Sequence, residues 1–358
     1  MQSILLVRTS AIGDVIQTLP VLEYLSHQFP TAQIDWVVEK GIAPLLEQIE
    51  PCRPRRVLAI DTKKWIKFPL ALASLREIKH FYHSLREVHY DLLFDLQGNS
   101  KSALVTMAAR AKEKVGFGAK CVREKTNLLA TTTRYDLPLE LNIRLKYLGL
   151  LQRHFKDDSE YAFSGVRFQL PPQDQERLSM ICSSPFLNRP LTLMVAVGSK
   201  WANKRLNQET LHAFLAKVAD RFDAAFVFIY GSDEERFNAE KMQRAFANCS
   251  ISVGQLSLPL WQALMWKVDG VIAVDSAALH LAGTTKTPTF SVFGPTSAEL
   301  FKPMESWHHA FQGDCPYGKS FVKQCALLRS CATGACIKEI SPEALFRSFE
   351  KWHNECLL

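Results

Sequence analysis

Asp14 is the first residue along the chain whose type and position could give it a role in a catalytic or binding site. It follows a short apolar run at residues 3–7, which has the composition of a buried parallel strand. An apolar pattern at helical spacing begins at Val15, so Asp14 lies on the turn from strand to helix. Ligands of open α/β sheets bind at the carboxyl ends of strands. Spacing alone nevertheless favours a plainer interpretation, in which Asp14 is a helix N-cap stabilised by the helix dipole.

A second polar turn, Asp275-Ser276-Ala277, follows an apolar run and opens another helical pattern. With Ser276 as the N-cap, free N–H groups of this helix would point at a phosphate. The dipole contributes only about 0.3–1 kcal/mol per charge, and up to roughly 2 kcal/mol when partly buried. A diphosphate therefore needs a cation as well, and the basic segment at residues 200–205 is the candidate. The alternative for this segment is a basic loop that faces solvent. His280 either contacts the phosphate or packs within the helix.

Two motifs of nucleotide enzymes are missing. The sequence has no Gly-x-Gly-x-x-Gly, which disfavours nicotinamide dehydrogenases. It also has no Asp-x-Asp triplet, the paired carboxylates that a metal-dependent sugar-nucleotide site would use. We therefore expect no metal ion and no cofactor, with cationic and dipolar groups supporting any diphosphate.

Nine cysteines occur, and four of them cluster late as Cys315-x9-Cys325-x5-Cys331-x4-Cys336. Zinc sites prefer pairs separated by about two to four residues, and only the last spacing meets this preference. The spacing therefore favours a cluster of reduced thiols over a metal site.

Length and charge limit the class of protein. The 358 residues suit two domains, and the apolar content is that of a soluble globular protein. Lys and Arg (43) outnumber Asp and Glu (36), and a net charge of +7 suits an acidic partner. No aromatic-rich basic motif of the RNA-binding kind occurs. There is no long apolar run and no signal-peptide pattern, so we expect a cytoplasmic protein.

Apolar runs alternate with helical patterns along the chain. The predicted strands of the first half lie at residues 3–7, 33–38, 56–60 and 91–96, and those of the second half at 191–197, 225–230, 271–274 and 288–293. Such alternation indicates βαβ units and parallel sheets. Residues 171–174 (Pro-Pro-Gln-Asp) are the best candidate for a linker, and an amphipathic helix is predicted over residues 341–352.

Residues 9–20 (Thr-Ser-Ala-Ile-Gly-Asp-Val-Ile-Gln-Thr-Leu-Pro) resemble the opening signature of glycosyltransferase family 9, the lipopolysaccharide heptosyltransferases. Residues 34–39 are more similar to the heptosyltransferase I branch than to heptosyltransferase II. The resemblance implies an α/β fold of the GT-B class, with two Rossmann-like doubly wound domains facing across a cleft. We expect an acceptor-binding domain at residues 1–170, a nucleotide-sugar-binding domain at 175–340 and a C-terminal helix at 341–358.

The resemblance also implies roles for individual residues. Asp14 matches the proposed catalytic base of the family, and Lys204 matches the lysine that contacts the donor phosphates. The residues expected to bind the donor nucleotide are Ser199, Glu234, Asp275, Ser276, Ala277 and His280. Those expected to bind the acceptor are Thr9, Ser10, Gly13, Lys63, Lys64, Lys67, Lys101 and Arg123. Many family members have Asp-Thr-Gly where this chain has Asp275-Ser276-Ala277, and alanine restricts the backbone more than glycine does.

The activity implied by the resemblance is inverting transfer of heptose from ADP-L-glycero-D-manno-heptose to the Kdo-lipid A inner core of lipopolysaccharide. The partners would be an ADP-sugar donor and an acidic glycolipid acceptor, with peripheral contact to the inner-membrane surface and no nucleic acid. A sugar-nucleotide epimerase of the same architecture and a non-catalytic nucleotide-binding module are the alternatives.

Overall fold

Short apolar runs separated by helical segments fold into two parallel sheets, one in each of two compact units. The computed structural model describes residues 2–69 and 71–357, and the units divide between Val166 and Arg167. Each unit holds a six-stranded sheet. The predicted α/β class with two doubly wound sheets is therefore confirmed.

The first unit begins directly with its central strand. Its strands are β1 Ser3–Val7, β2 Gln33–Glu39, β3 Ile49–Glu50, β4 Arg56–Ile60, β5 His89–Asp95, β6 Arg110–Phe117 and β7 Thr133–Tyr135. Its helices are α1 Ile12–Ile16, α2 Leu19–Gln28, α3 Ala43–Glu47, α4 Thr62–Lys67, α5 Leu72–Arg86, α6 Ser100–Ala108 and α7 Ile143–Phe155, with a 3-10 turn at Lys125–Leu129. The parallel sheet has the order β4-β2-β1-β5-β6-β7.

The second unit repeats the pattern. Its strands are β8 Arg167–Phe168, β9 Leu191–Ala196, β10 Ala224–Tyr230, β11 Ser250–Gly254, β12 Gly270–Val274, β13 Thr289–Phe293 and β14 His308–Gln312. Its helices are α8 Pro172–Cys182, α9 Gln208–Phe222, α10 Asp233–Ala245, α11 Leu258–Met265, α12 Ala277–Ala282, α13 Ala298–Phe301, α14 Ala335–Lys338 and α15 Pro342–Cys356, with 3-10 turns at Pro185–Leu187 and Ala202–Lys204. The parallel sheet has the order β11-β10-β9-β12-β13-β14.

Both sheets have the same topology. When the six strands of each sheet are numbered along the chain, without β3 and β8, both sheets have the order third, second, first, fourth, fifth, sixth. This Rossmann order opens a crevice at the carboxyl ends of the first and fourth strands, where the winding reverses and ligands bind. The switch point lies between β1 and β5 in the first unit and between β9 and β12 in the second.

The central strands are apolar throughout because they are buried on both faces. Residues 4–7 of β1 and 271–274 of β12 are all fully buried. In the second unit the C-terminal helix α15 completes the core, with Phe349 and Trp352 against Phe290 of β13 at ring-centre distances of 5.4 and 5.8 Å. Full burial of such side chains stabilises the fold by about 1.5–3 kcal/mol each.

Two local predictions differ from the structure. The helical pattern from Val15 to Leu25 is split into α1 and α2, with Pro20 in the first turn of α2, because proline has no N–H and fits only at a helix start. Residues 171–174, predicted as a linker, instead supply the N-cap and first turn of α8 for the same reason. Within residues 2–69 and 71–357 no helix is both long and apolar enough to span a membrane.

Candidate active site

A buried arginine lies at the switch point of the first sheet. Arg8 follows β1 and is only 3% exposed. Its Nη1 donates to the carbonyl oxygen of Leu96 at 2.8 Å, and its guanidinium lies 4.8 Å from the centre of the Tyr147 ring. A cation buried in this way needs a counterion. Asp14 supplies it, with Oδ1 3.0 Å from Arg8 Nη2.

The Asp14 carboxylate has a second structural partner. Its Oδ2 accepts a hydrogen bond from the backbone N–H of Ala11 at 3.1 Å. Ala11 is the N-cap of α1, so Asp14 occupies the third helical position, where acidic side chains reach back to the N-cap. The interpretation of Asp14 as the N-cap itself is therefore wrong. About a third of the Asp14 side chain (34%) remains exposed, so its carboxylate still has lone pairs that a ligand can reach.

The turn that carries Asp14 is held by the loop after β5. Gln97 Oε1 accepts hydrogen bonds from the Thr9 backbone N–H at 2.6 Å and from the Thr9 hydroxyl at 2.7 Å. Buried Asp95 in turn accepts from the N–H groups of Gln97 and Gly98 at 3.0 and 2.9 Å. Because the Thr9 hydroxyl is buried and already donates, Thr9 positions the turn. Ser10 and Gly13 are partly exposed on the same turn.

The basic residues expected on the acceptor side differ in exposure and in their ion-pair partners. Lys63 and Lys67 are exposed on α4, whereas Lys64 is paired with Glu77 at 2.7 Å. Lys101, at the start of α6, places its Nζ 3.3 Å from the hydroxyl of Thr62 at the start of α4. Because Lys101 reaches the start of α4, we group the exposed Lys63, Lys67 and Lys101 as the basic face. Arg123 is exposed on the loop after β6.

The second switch point carries a different charged pair. Lys204 lies in the 3-10 turn after β9, and its Nζ is 2.5 Å from Oδ2 of Asp275, which follows β12. The Lys204 side chain is 15% exposed and that of Asp275 6%, so the predicted alternative of a solvated loop is wrong for Lys204. Asp275 Oδ2 also accepts from the Thr296 hydroxyl at 2.7 Å, and His280 Nε2 lies 3.6 Å from Oδ1.

These contacts fix the charge state of Asp275. Burial alone would raise the pKa of its carboxyl, but the hydrogen bond from His280 and the positive charge of Lys204 outweigh burial. The pKa of Asp275 is therefore well below its usual range, and its carboxyl is ionised at neutral pH. An ammonium group has three N–H donors, so Lys204 can bind a phosphate oxygen while it remains bonded to Asp275.

The turn after β12 opens a short helix, α12. Ser276 is the N-cap of α12, as predicted, but its side chain makes no capping bond. Its buried Oγ has no hydrogen-bond partner within the part of the chain that the structure describes. Ala277 is the first residue of a helix of only six residues, and His280 is buried in it. Because the helix is short, Lys204 must supply most of the positive potential.

The loop before Lys204 is pinned by its own arginine. Arg205 Nε donates to the carbonyl oxygen of Ser199 at 2.5 Å, and its Nη1 is 2.5 Å from Oε1 of Glu234 in the first turn of α10. Ser199 is buried, whereas the Glu234 side chain is 67% exposed and free to meet hydroxyl groups. A cavity of about 330 Å³ opens beside this pair, and its lining from α9, α10 and β10 combines apolar side chains with polar ones such as Glu235 and Asn238.

One nucleotide-binding pattern has no matching structure. Residues 313–320 spell Gly-x4-Gly-Lys-Ser, the pattern of a P-loop. A P-loop lysine and serine open a helix. Here the next helix begins at Ala335, so these residues do not form a phosphate cradle.

Sequence reasoning missed the partners that hold the charged groups. Arg8, Gln97 and Thr296 were not predicted as site residues, although all are buried within hydrogen-bond distance of the predicted ones. A signal existed only for Arg8, because an arginine that directly follows an apolar strand must be paired with an anion.

Two Rossmann-like sheets in one chain are the architecture of a GT-B glycosyltransferase, and here each sheet carries a charged pair at its switch point. Residues 78–330 match glycosyltransferase family 9 (heptosyltransferase), and the chain belongs to this family. The class and family that the sequence resemblance implies are confirmed. Family membership favours glycosyl transfer over the epimerase and the non-catalytic module.

Relatives match over most of the chain. Lipopolysaccharide heptosyltransferase 1 of Pseudomonas aeruginosa is 28% identical over 305 residues, which cover 82% of this chain and 79% of the relative. The enzyme of the same name from Escherichia coli K12 is 24% identical over 301 residues, or 83% of this chain and 89% of the relative.

Solved structures agree with the fold. E. coli heptosyltransferase WaaC with ADP has a TM-score of 0.77 at 20% identity and covers 98% of this chain and 100% of its own. A glycosyltransferase family 9 protein of Veillonella parvula has a TM-score of 0.78 at 18% identity. The match covers 99% of this chain and 98% of the Veillonella chain. These likenesses confirm the GT-B fold class.

Proposed function

We propose that this protein transfers heptose from ADP-L-glycero-D-manno-heptose to the Kdo-lipid A inner core during lipopolysaccharide biosynthesis, with inversion at the anomeric carbon. The observation that carries the proposal is the pair of charged groups at the two switch points, an accessible carboxylate at one and an anchored lysine at the other. The names of the relatives support the activity, and the solved relative contains ADP in one structure and ADP-2-deoxy-2-fluoro heptose in another.

Asp14 is the general base of the proposed reaction. Its carboxylate accepts the proton of the acceptor hydroxyl as that oxygen attacks the anomeric carbon. Arg8 holds the carboxylate in place, and the N–H of Ala11 orients its second oxygen. Both partners bind the ionised form, which is the form that can accept a proton.

Lys204 stabilises the departing ADP. Negative charge grows on the diphosphate as the glycosidic bond breaks, and a preorganised cation lowers the barrier to that step. Asp275 positions the ammonium group, while Ser276, Ala277 and His280 line the turn beside it. Ser199 and Glu234 lie on the neighbouring loop and helix, where Glu234 can accept hydrogen bonds from ribose or heptose hydroxyls.

The basic face binds the acidic acceptor. Lys63, Lys67 and Lys101, with Arg123 on a separate loop, suit the phosphates and carboxylates of Kdo-lipid A. Lys64 is partly neutralised by Glu77 and contributes less. We infer that the protein works in the cytoplasm and touches the inner membrane peripherally at this face, since its acceptor is a lipid.

The test is a donor and acceptor panel with the purified chain. Kdo-lipid A is offered with ADP-L-glycero-D-manno-heptose, and ADP-mannose and a UDP-hexose serve as matched donors. We expect a mass gain of one heptose only with the first donor, and an inverted anomeric configuration by NMR. Consumption of the donor without acceptor, or preference for a UDP-sugar, would contradict the proposal.

A further inference from the structure

The four late cysteines, which the spacing predicts to be ordinary thiols, surround a single cavity. Cys315, Cys325, Cys331 and Cys336 all line a pocket of about 150 Å³ in the second unit, and all are free thiols. Cys331 and Cys336 lie at the two ends of one short turn of this cavity wall, which also contains Thr333, Gly334 and Ala335. The remaining five cysteines of the chain lie elsewhere.

The segment that carries these cysteines is long and irregular. Residues 313–334, between β14 and α14, contain no helix and no strand. Irregular segments longer than about 12–15 residues are uncommon unless something braces them. Large apolar side chains of this segment face outward, since Tyr317 and Val322 are each 59% exposed. Leu328 is the buried leucine of this segment, so burial of apolar surface accounts for only part of its shape.

One of the four thiols already has the hydrogen bonds of a metal ligand. The backbone N–H of Gly334 donates to Cys331 Sγ at 3.4 Å, and the Thr333 hydroxyl is 3.7 Å from the same sulfur. Gly334 has φ of +63°, a left-handed conformation that glycine adopts without strain. Donors of this kind stabilise a thiolate and orient it, as the outer partners of metal ligands do.

We propose that Cys315, Cys325, Cys331 and Cys336 bind one zinc ion through four thiolates. Structural zinc is held by four such ligands in tetrahedral geometry at about 2.3 Å from each sulfur. Four thiolates around a divalent ion leave two negative charges. Lys319 in the cavity wall offsets part of this charge.

Ion binding requires a side-chain adjustment. Across residues 2–69 and 71–357, no three Cys, His, Asp or Glu side chains converge closely enough to hold an ion as they stand. Three of the four cysteines lie on irregular backbone, where rotation about the Cα–Cβ bond can turn the sulfur into the cavity without breaking a helix or strand.

The proposed zinc centre would hold the loop that carries Asn203 and Lys204 in place. Asn203, next to Lys204, donates through Nδ2 to the carbonyl oxygens of Leu328 and Cys331 at 3.1 and 2.9 Å. The N–H of Cys325 donates to the carbonyl oxygen of Pro295 at 2.8 Å, and the next residue, Thr296, bonds to Asp275. Ordering this segment therefore orders both partners of the Lys204–Asp275 pair.

The test measures metal content of the full chain purified without added metal and desalted. We expect about one zinc per chain in the wild type and near none in Cys331→Ser and Cys336→Ser. Cys182→Ser, which removes an exposed cysteine outside the segment, is the matched control and should keep its zinc. Because metal is measured without donor or acceptor, this result is independent of whether heptose transfer is observed.

A second measurement applies even if the serine variants fail to fold. Wild-type protein stripped of metal is titrated with Co²⁺, and four thiolates should give strong sulfur-to-cobalt charge-transfer bands and the visible bands of tetrahedral cobalt. Wild type without zinc and without these bands would overturn the proposal. So would disulfides among the four cysteines, stoichiometric iron with acid-labile sulfide, or full zinc content in both serine variants.

Discussion

The two charged pairs occupy equivalent places in their sheets but are exposed in opposite senses. In the first unit the arginine is buried and the carboxylate is open, with side-chain exposures of 4% for Arg8 and 34% for Asp14. In the second unit the carboxylate is buried and the lysine less so, at 6% for Asp275 and 15% for Lys204. Both sheets have a crevice at the equivalent position. In each, the charge of the more exposed partner is the one that a ligand can reach, a carboxylate in the first unit and an ammonium in the second.

The buried member of each pair is fixed by neutral partners. Arg8 is held by the Leu96 carbonyl and the Tyr147 ring, and Asp275 by the hydroxyl of Thr296. A buried charge with such partners is costly to leave unpaired, so each pair is also a structural unit. Mutations at the open member should therefore change both chemistry and stability.

Asp14→Asn should have the largest effect. Asparagine keeps an oxygen that can accept from Ala11, but it cannot take the acceptor proton, so we expect turnover to fall by about 10²–10⁴-fold. Loss of the counterion of Arg8 should also lower the free energy of unfolding by about 1–3 kcal/mol. Steady-state kinetics and urea denaturation measure the two effects.

The matched control is Asp61→Asn, because Asp61 caps α4 through a bond from the Lys64 N–H and is not part of either pair. It should leave turnover nearly unchanged. If Asp14→Asn slows turnover by less than about tenfold, roughly 1.4 kcal/mol of barrier, the base lies elsewhere.

Lys204→Ala should come next. Removing one preorganised charge at the departing diphosphate should lower kcat by about 10²–10³-fold and weaken ADP binding as well. Lys200→Ala, an exposed lysine on the same loop, is the control and should change neither quantity. Equal kcat/KM for both variants would show that Lys204 serves only to neutralise Asp275.

A smaller effect is expected for Asp275→Asn, whose loss of stability should depend on pH. Because the folded pKa of Asp275 is depressed, its contribution to stability is full above the ordinary Asp pKa of about 3.9 and is lost as pH falls toward the folded value. Asp275→Asn should therefore lose stability mainly at neutral pH and approach the wild type in acid. Denaturant titrations across this range test the claim, and parallel stability curves would refute it.

The smallest effect should come from the basic face. Lys63→Ala with Lys67→Ala should raise KM for the glycolipid a few-fold, since exposed charges contribute about 0–1 kcal/mol each and are screened by salt. The salt dependence of acceptor binding should flatten, and ADP affinity should not change. Lys64→Ala should do less because Glu77 already compensates it. A fall in ADP affinity would mean that donor and acceptor have been assigned to the wrong units.

The regular elements were largely predictable because they depend on local pattern. The runs at residues 3–7 and 56–60 are strands with those limits, and the other predicted strands differ by two residues or fewer at each end. The predictions were wrong at prolines. Residues 171–174 have the composition of a linker, but they form the N-cap and first turn of α8. Asp14 and Lys204 were found by resemblance, and their partners were not.

The sequence by itself determined the alternation of strands and helices, the placement of polar turns at strand ends and the family. Only the tertiary structure decided which distant groups meet. Lys204 and Asp275 are 71 residues apart and become partners because β9 and β12 are neighbours in the sheet. The spacing of the four late cysteines indicated ordinary thiols, whereas the irregular segment after β14 folds them around one cavity. Spacing records distance along the chain, and strand order and loop path set distance in space.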